Sequence, residues 1–305
     1  MVLYSARGAS RHLSRTRELL TRVESHGRRA ARVIGPRQLW VRLRTEIAKR
    51  FGLGHKVEEL SSALVGKELY FRAPPLDAQL IRAIKAITPQ FSLNLDETSR
   101  RVWELSQNGS SWAEYEALAP LLDSIAVPER VLEIGPGMGR SVVFLNRHLG
   151  WQEAHFDLYE GDGQARKYPL NAPRSEDSFC GDLGQLCRVL DFNRVKNYRV
   201  INAAEANFRL DSLAGPYDLV YSFYGVGFHW SLADFWDEIR GLMAPSGVAI
   251  FTVHHSFEEF AQLEGTPHRY LPFRRILAKD RPLNLLLVSS DATALDAITV
   301  EERAS

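Results

Sequence analysis

The stretch Val131-Leu132-Glu133-Ile134-Gly135-Pro136-Gly137-Met138-Gly139-Arg140-Ser141 decides how the rest of this chain is read. A buried-strand pattern at Val131–Ile134 runs into three glycines at alternate positions, and a helical pattern follows over 139–149. Glycine serves where the backbone takes angles closed to other residues, and where a ligand must approach the main chain with no Cβ in the way. A helix that starts directly after such a turn offers free amides to a negative group. Open α/β sheets bind their ligands at the carboxyl ends of the strands. The turn therefore predicts a binding edge rather than a plain connection.

Working outward, short apolar runs alternate with helical patterns from Arg130 onward. Val131–Ile134, His155–Tyr159, Tyr198–Ile201, Tyr217–Ser222, Gly247–Val253 and Asn284–Ser289 read as strands, with helices at 139–149, 182–193, 231–243 and 256–263. Such alternation means βαβ units and a parallel sheet covered on both faces. The end differs: Arg269–Leu277, the turn Ala278-Lys279-Asp280-Arg281-Pro282 and Leu283–Ser289 read as a terminal hairpin. These observations delimit an α/β domain at 129–290 and a loose polar tail at 291–305.

Upstream, residues 1–128 read as a helical region. Apolar residues recur at three- and four-residue spacing between Leu13 and Phe51, with Gly35-Pro36 and Gly52–Gly54 as breaks. Pro74-Pro75 closes this part. A second group comprises a helix at Asp77–Ile87 and another at Asp96–Gln107, which Gly109 is placed to end. Ser111-Trp112-Ala113-Glu114 then has the spacing of a capping box, predicting a new helix that Pro120 kinks.

The chain has 305 residues, 38 Lys+Arg against 37 Asp+Glu, and 45% hydrophobic residues. That is ordinary globular composition, with length enough for a large core. No run approaches the roughly 18 apolar residues that cross a bilayer. The two cysteines, Cys180 and Cys187, are too few for a disulfide scaffold, and no Cys/His spacing points to structural zinc. The balance conceals an asymmetry: residues 1–72 hold 16 Lys+Arg and 6 Asp+Glu, while the remaining 233 hold 22 and 31. A basic segment of charge +10 thus precedes an acidic body of charge −9. Such a run is read first as a solvated face, then as a contact for an anionic membrane surface or glycolipid, and last for RNA or DNA. Residues 1–17 carry Arg and Ser without acids, which superficially fits a transit peptide; a frayed bacterial N-terminus and a cytoplasmic location are the favoured expectation.

The ligand follows from comparing glycine loops. A dinucleotide turn is G-x-G-x-x-G, whereas this one is Gly-x-Gly-x-Gly with Glu133 two residues before it. An acid there is awkward beside a pyrophosphate and suits a ligand with a cationic ammonium group. In Leu132–Gly139 the chain resembles the class I S-adenosylmethionine-dependent methyltransferases, whose first motif is (Glu/Asp)-x-Gly-x-Gly-x-Gly. The resemblance covers about Arg130 to Ser290 and leaves out the basic N-terminus. It implies a Rossmann-like, mostly parallel seven-stranded sheet ending in an antiparallel hairpin. It also implies S-adenosylmethionine as cofactor, with Gly135, Gly137 and Gly139 around its methionine part and Glu133 at the amino end. Glu160, 21 residues after Gly139, then takes the ribose hydroxyls, with Asp157 as the weaker alternative. Ala204 or its neighbour Glu205 falls near the adenine position. Ser222 and Phe223 begin the loop over the sulfonium, where aromatic rings from Phe223 to Trp230 would attract a cation; Phe228 and Trp230 equally suit packing. The longer 163–181 loop, with Cys180, reads as pocket rim.

Methylating a hydroxyl benefits from a general base, and histidine titrates in the useful range. His229 after the fourth strand is the first candidate, followed by His254 and His255 after the fifth. No carboxylate cluster or Asp-Asn pair marks a metal site. The absence of an Asn-Pro-Pro-Tyr-like tetrapeptide argues against nitrogen acceptors. The expected activity is O-methylation of a small molecule or glycan, in the manner of bacterial enzymes acting on sugars or natural products. The alternatives are a cofactor-binding scaffold without catalysis and an NAD-dependent oxidoreductase.

Overall fold

In the computed structural model, residues 64, 66–88, 93–122, 125–161, 181–254, 263, 265–273, 283–296 and 298 are described. The helices expected between Leu13 and Phe51, the loop at 163–180 with Cys180, residues 256–262 and His255 lie outside them. By its contacts the chain divides into Met1–Lys67 and Glu68–Ser305. The sheet and all described helices belong to the second unit.

Seven strands build the sheet: β1 (Arg130–Ile134), β2 (His155–Glu160), β3 (Tyr198–Asn202), β4 (Tyr217–Ser222), β5 (Met243–His254), β6 (His268–Phe273) and β7 (Leu283–Ser289). Their order is β3-β2-β1-β4-β5-β7-β6, with β7 antiparallel to both neighbours and the other pairings parallel. This is the Rossmann-like, hairpin-ended sheet expected from the sequence. The order reverses between β1 and β4, which opens the crevice where such sheets take ligands.

Alternate residues along each strand enter opposite cores. Val131, Leu219, Tyr221, Val248 and Ile250 join one cluster, and Leu132, Ile134, Val220, Ala249 and Phe251 the other. Helices α1 (Ala78–Ile87), α2 (Glu97–Leu122), α3 (Arg140–His148) and α4 (Leu183–Phe192) contribute to the first cluster. Helix α5 (Trp236–Leu242) and a 3₁₀ turn (Leu232–Asp234) contribute to the second, so the helix expected at 231–243 is divided and β5 starts at Met243. Asp77 caps α1 by accepting the Leu80 N–H at 2.8 Å, and Asp182 caps α4 through Gln185 at 2.9 Å.

The upstream expectation needs correction. Residues 97–122 form one helix of 26 residues, running through Gly109 and Pro120. Gly109 takes no left-handed angle. Ser111 does not cap; its hydroxyl donates to the Gln107 carbonyl at 2.9 Å inside the helix. Tertiary contacts override the local signals. Asn108 receives the Phe71 N–H at 3.0 Å and donates to the Phe71 carbonyl at 2.8 Å, as a strand neighbour would. Asn193, after α4, does the same for Arg72 at 2.7 and 2.8 Å. Glu104 on α2 is buried among Arg72, Arg100 and Arg101. His148 lies 4.5–4.8 Å from the rings of Trp112, Tyr115, Phe144 and Tyr70, which joins α2 to α3.

The tail also differs from its expectation. Helix α6 (Ala292–Asp296) follows β7, Leu295 and Ile298 are buried, and Arg269 donates to both their carbonyls at 3.2 and 2.9 Å. No described helix is long and apolar enough to cross a membrane.

Candidate active site

The glycine turn bends from β1 into α3 with Gly135, Gly137 and Gly139 at φ 77°, 57° and 72°. All three occupy the left-handed region, which strongly favours glycine. Gly139 has a further reason: a Cβ there would lie 2.7 Å from Leu190 Cδ2 and 3.0 Å from Leu186 Cδ1. The missing side chain lets α4 close against the turn. Gly135 donates to the Tyr159 carbonyl at 2.9 Å, which ties the turn to β2.

Two buried carboxylates flank this turn. Glu133, 2% exposed, accepts from the hydroxyls of Ser141 at 2.5 Å and Tyr221 at 2.8 Å. Burial pushes its pKa up to about 7, against the pull of those two hydroxyls and of Arg140. Glu160, 4% exposed at the end of β2, accepts from Gly137 N at 3.0 Å and Gly161 N at 2.9 Å. Burial raises it to about 7 as well, with the two amides opposing. One carboxylate thus sits beneath the turn, and the other grips its middle glycine.

Arg140 opens α3 beside Glu133. Both its terminal nitrogens bind Glu114 of α2, at 2.5 and 2.7 Å. Burial opposes its charge, but Glu114 more than compensates and raises its pKa. The pairing neutralises the cation and anchors the upstream helix on the turn.

Asp157, the weaker ribose alternative, lies mid-strand in β2 and is fully buried. Its carboxylate accepts from Arg199 Nε and Nη2, both at 2.8 Å, and from the Tyr217 hydroxyl at 2.6 Å, with Arg130 at 3.4 Å. Burial pushes its pKa up, yet Arg199 and Tyr217 hold it below the usual value. On the turn after β3, Ala204 donates to Asn202 Oδ1 at 3.0 Å and Glu205 accepts from Asn202 Nδ2 at 3.3 Å. Both residues are exposed, level with the Glu160 end of β2, since Glu160 pairs with Asn202.

The loop after β4 closes the edge. Ser222 is fully buried; its hydroxyl donates to the Ile134 carbonyl at 2.6 Å and receives Val226 N at 2.9 Å, so it links β1 to the loop. Phe223 is partly exposed and lies 5.0 Å from the Tyr221 ring. The N–H groups of Phe228, His229 and Trp230 all converge on the Gly225 carbonyl at 2.8–3.2 Å. Trp230 is buried, with indole carbons 3.5 Å from where a Gly135 Cβ would be. His229 is partly exposed, 4.7 Å from the Phe228 ring. Its turn rests on β5, because a Cβ on Gly227 would lie 3.0 Å from the Thr252 carbonyl. His254 ends β5, so the two histidines come from the carboxyl ends of adjacent strands; the His254 side chain lies outside the described residues.

Sequence reasoning missed Ser141, Tyr221, Arg140 and Glu114. Tyr221 was accessible through strand pairing, being the register partner of Glu133. Glu114 carried only the local signal of a capping box, and its actual partner is 26 residues away. A groove of about 630 Å³ beside the opposite end of β4 is lined by Asp211, Pro216, Asp237, Glu238 and Gly241. Its acids pair with Arg209 and Arg240, and it has no part in the glycine edge. Among the described residues no three His, Cys, Asp or Glu gather to hold a metal ion.

No protein-family model matches this chain. No curated protein matches it. Among solved structures it is similar to the O-methyltransferase TomG of Streptomyces achromogenes, in complex with SAM, at 15% identity and TM-score 0.43 over 77% of this chain and 98% of that one. It is similar to cofactor-bound Rv0187 from MTB at 15% identity and TM-score 0.41, over 70% and 91% of the two chains. An rRNA methylase of Streptococcus thermophilus matches at 11% identity and TM-score 0.37, over 57% and 93%.

Proposed function

We infer that the protein is an S-adenosylmethionine-dependent methyltransferase acting on a hydroxyl of a small molecule or glycan. The observation that carries this is the pair of buried carboxylates, Glu133 and Glu160, on either side of a turn of left-handed glycines. A pyrophosphate brought to that turn would meet two buried acids, and an isolated buried charge of like sign is costly. A cationic amino-acid end and a ribose diol meet complementary groups instead. Glu133 can accept from an ammonium group, and Glu160 from a diol, because each carboxylate has acceptor sites beyond its two protein partners. The absence of a side chain at Gly135 and Gly139 also lets Trp230 and Leu190 pack directly on the turn.

When bound, the cofactor supplies a methyl group on a positively charged sulfur. The chain's own work is to position the acceptor, exclude water and receive a proton. Phe223 and Phe228 are the residues assigned to the apolar wall, and the partly exposed His229 the one assigned to take the acceptor's proton. Titration calorimetry with S-adenosylmethionine and NADH tests the cofactor: binding of NADH alone sinks the proposal. His229→Ala should lower turnover about 100-fold, in an assay of S-adenosylhomocysteine release, with cofactor affinity nearly unchanged. Equal loss of both would make His229 structural.

The basic segment supports a second role at an anionic surface. The full chain is expected to co-sediment with phosphatidylglycerol vesicles in low salt and not in 0.5 M salt, because screening removes such attraction. Equal sedimentation with neutral phosphatidylcholine vesicles would oppose it.

A further inference from the structure

Three arginines crowd one buried carboxylate where the stretch before α1 meets α2. Glu104, with its side chain 2% exposed, pairs with Arg72, Arg100 and Arg101 and accepts the Ala73 N–H at 3.2 Å. The arginines do not share it alike. Arg100 has a second acid in Glu97: its Nε donates to one oxygen of that carboxylate at 2.7 Å and its Nη2 to the other. Its Nη1 donates to the Ala73 carbonyl at 2.8 Å. The bonds to Glu97 hold the Arg100 guanidinium above its ordinary pKa.

Arg72 and Arg101 are left with a single oxygen, Oε1 of Glu104, between them. Arg101 donates to it through Nη1, whereas Arg72 Nη1 stands 3.7 Å away, beyond hydrogen-bond range. Among the described residues, Arg101 thus uses one of its guanidinium donors and Arg72 uses none. Burial, with repulsion from Arg72 and Arg100, pushes the Arg101 pKa down. Both side chains remain open to solvent, 51% and 38% exposed. They are also held in place: Asn193 grips the Arg72 main chain at 2.7 and 2.8 Å, and Arg101 sits within α2. Two guanidinium forks that share too little negative charge match an anion with several oxygens. A phosphate group accepts from two forks at once, and arginine suits that geometry better than lysine.

We propose that Arg72 and Arg101 form a binding site for a phosphate group, carried by a free phosphate ester or by a lipid headgroup. The site is separate from the glycine turn, because Arg101 lies about 20 Å along α2 from Glu114, the residue that binds Arg140. It does not depend on the methyltransferase reading. A phosphate bridging the two arginines joins the stretch before α1 to α2.

The test is calorimetry of the full chain with inorganic phosphate, against chloride at matched ionic strength. Saturable binding of phosphate is expected. Arg72→Gln and Arg101→Gln should each weaken it about ten-fold, because each removes one charged fork. Arg100→Gln should weaken it by no more than about two-fold, since the Arg100 guanidinium is already held by Glu97. If Arg101→Gln does not fold, Arg72→Gln decides, its side chain being half exposed. Glycerol 3-phosphate and phosphatidylglycerol vesicles then separate the two sources: the carrier is the one whose affinity falls about ten-fold in Arg72→Gln. Binding no stronger than in the chloride control overturns the proposal. Equal weakening in all three variants also overturns it, because the attraction would then be to general positive charge.

Discussion

Glu133 and Glu160 were legible in the sequence as positions, but not as a matched pair of acids raised to about 7. Position follows from the motif; the raised pKa follows from burial, which depends on helices distant in sequence. Its sign has consequences. Both folded-state values lie above the unfolded carboxylate range, so the folded chain holds more protons than the unfolded one between about pH 4.5 and 7. Stability is therefore fully present below that window and declines as pH rises through it. Thermal melts from pH 5 to 8 should show this fall, and Glu133→Gln should reduce it to the share that Glu160 carries. Cofactor affinity should move the other way, rising from pH 6 to 8, because an ammonium group prefers Glu133 ionised. A flat profile would mean that Glu133 stays charged throughout. Gly139→Ala addresses the turn itself. It forces a Cβ against Leu190 and requires a left-handed alanine, so a loss of about 2 kcal/mol or more is expected in urea unfolding.

At the scale of elements, the strands were read closely because their apolar runs are bounded by turns and buried on both faces. The long helix α2 was not. Gly109 and Ser111 are the residues that normally end and begin helices, yet Asn108 on the clamp and Glu114 on Arg140 need an unbroken helix between them. Such partners, 37 and 26 residues away, leave no trace in a local pattern. Asn108→Ala should leave the buried main chain of Phe71 without partners and cost about 2 kcal/mol in urea unfolding. Asn193→Ala should act similarly through Arg72. If either change costs nothing, the clamp is incidental to stability.

For the whole molecule, the mostly parallel sheet and its terminal hairpin were foreseeable from the βαβ rhythm, whereas the strand order and the hub at Asp157 were not. That carboxylate joins β2 to β3 through Arg199, to β4 through Tyr217 and to β1 through Arg130. Asp157→Asn breaks a buried charge pair and should cost about 3 kcal/mol at pH 7. Because the folded pKa is depressed, the benefit of the native acid is present above the unfolded carboxylate value and vanishes as pH falls through the folded one. Urea titrations of both proteins at pH 7 and pH 3 would reveal the convergence. The clamp on Phe71 and Arg72 has a mechanical consequence. Two asparagines grip successive peptide units by both N–H and carbonyl. Upstream of them, Trp112 Nε1 donates to the Glu68 carbonyl at 3.1 Å and Arg147 to the Tyr70 carbonyl at 2.7 Å, so residues 68–72 are fastened at four successive points to α2, α3 and the end of α4. The stretch that leads into α1 is thereby held as a strap by side chains of three helices rather than by a strand of the sheet.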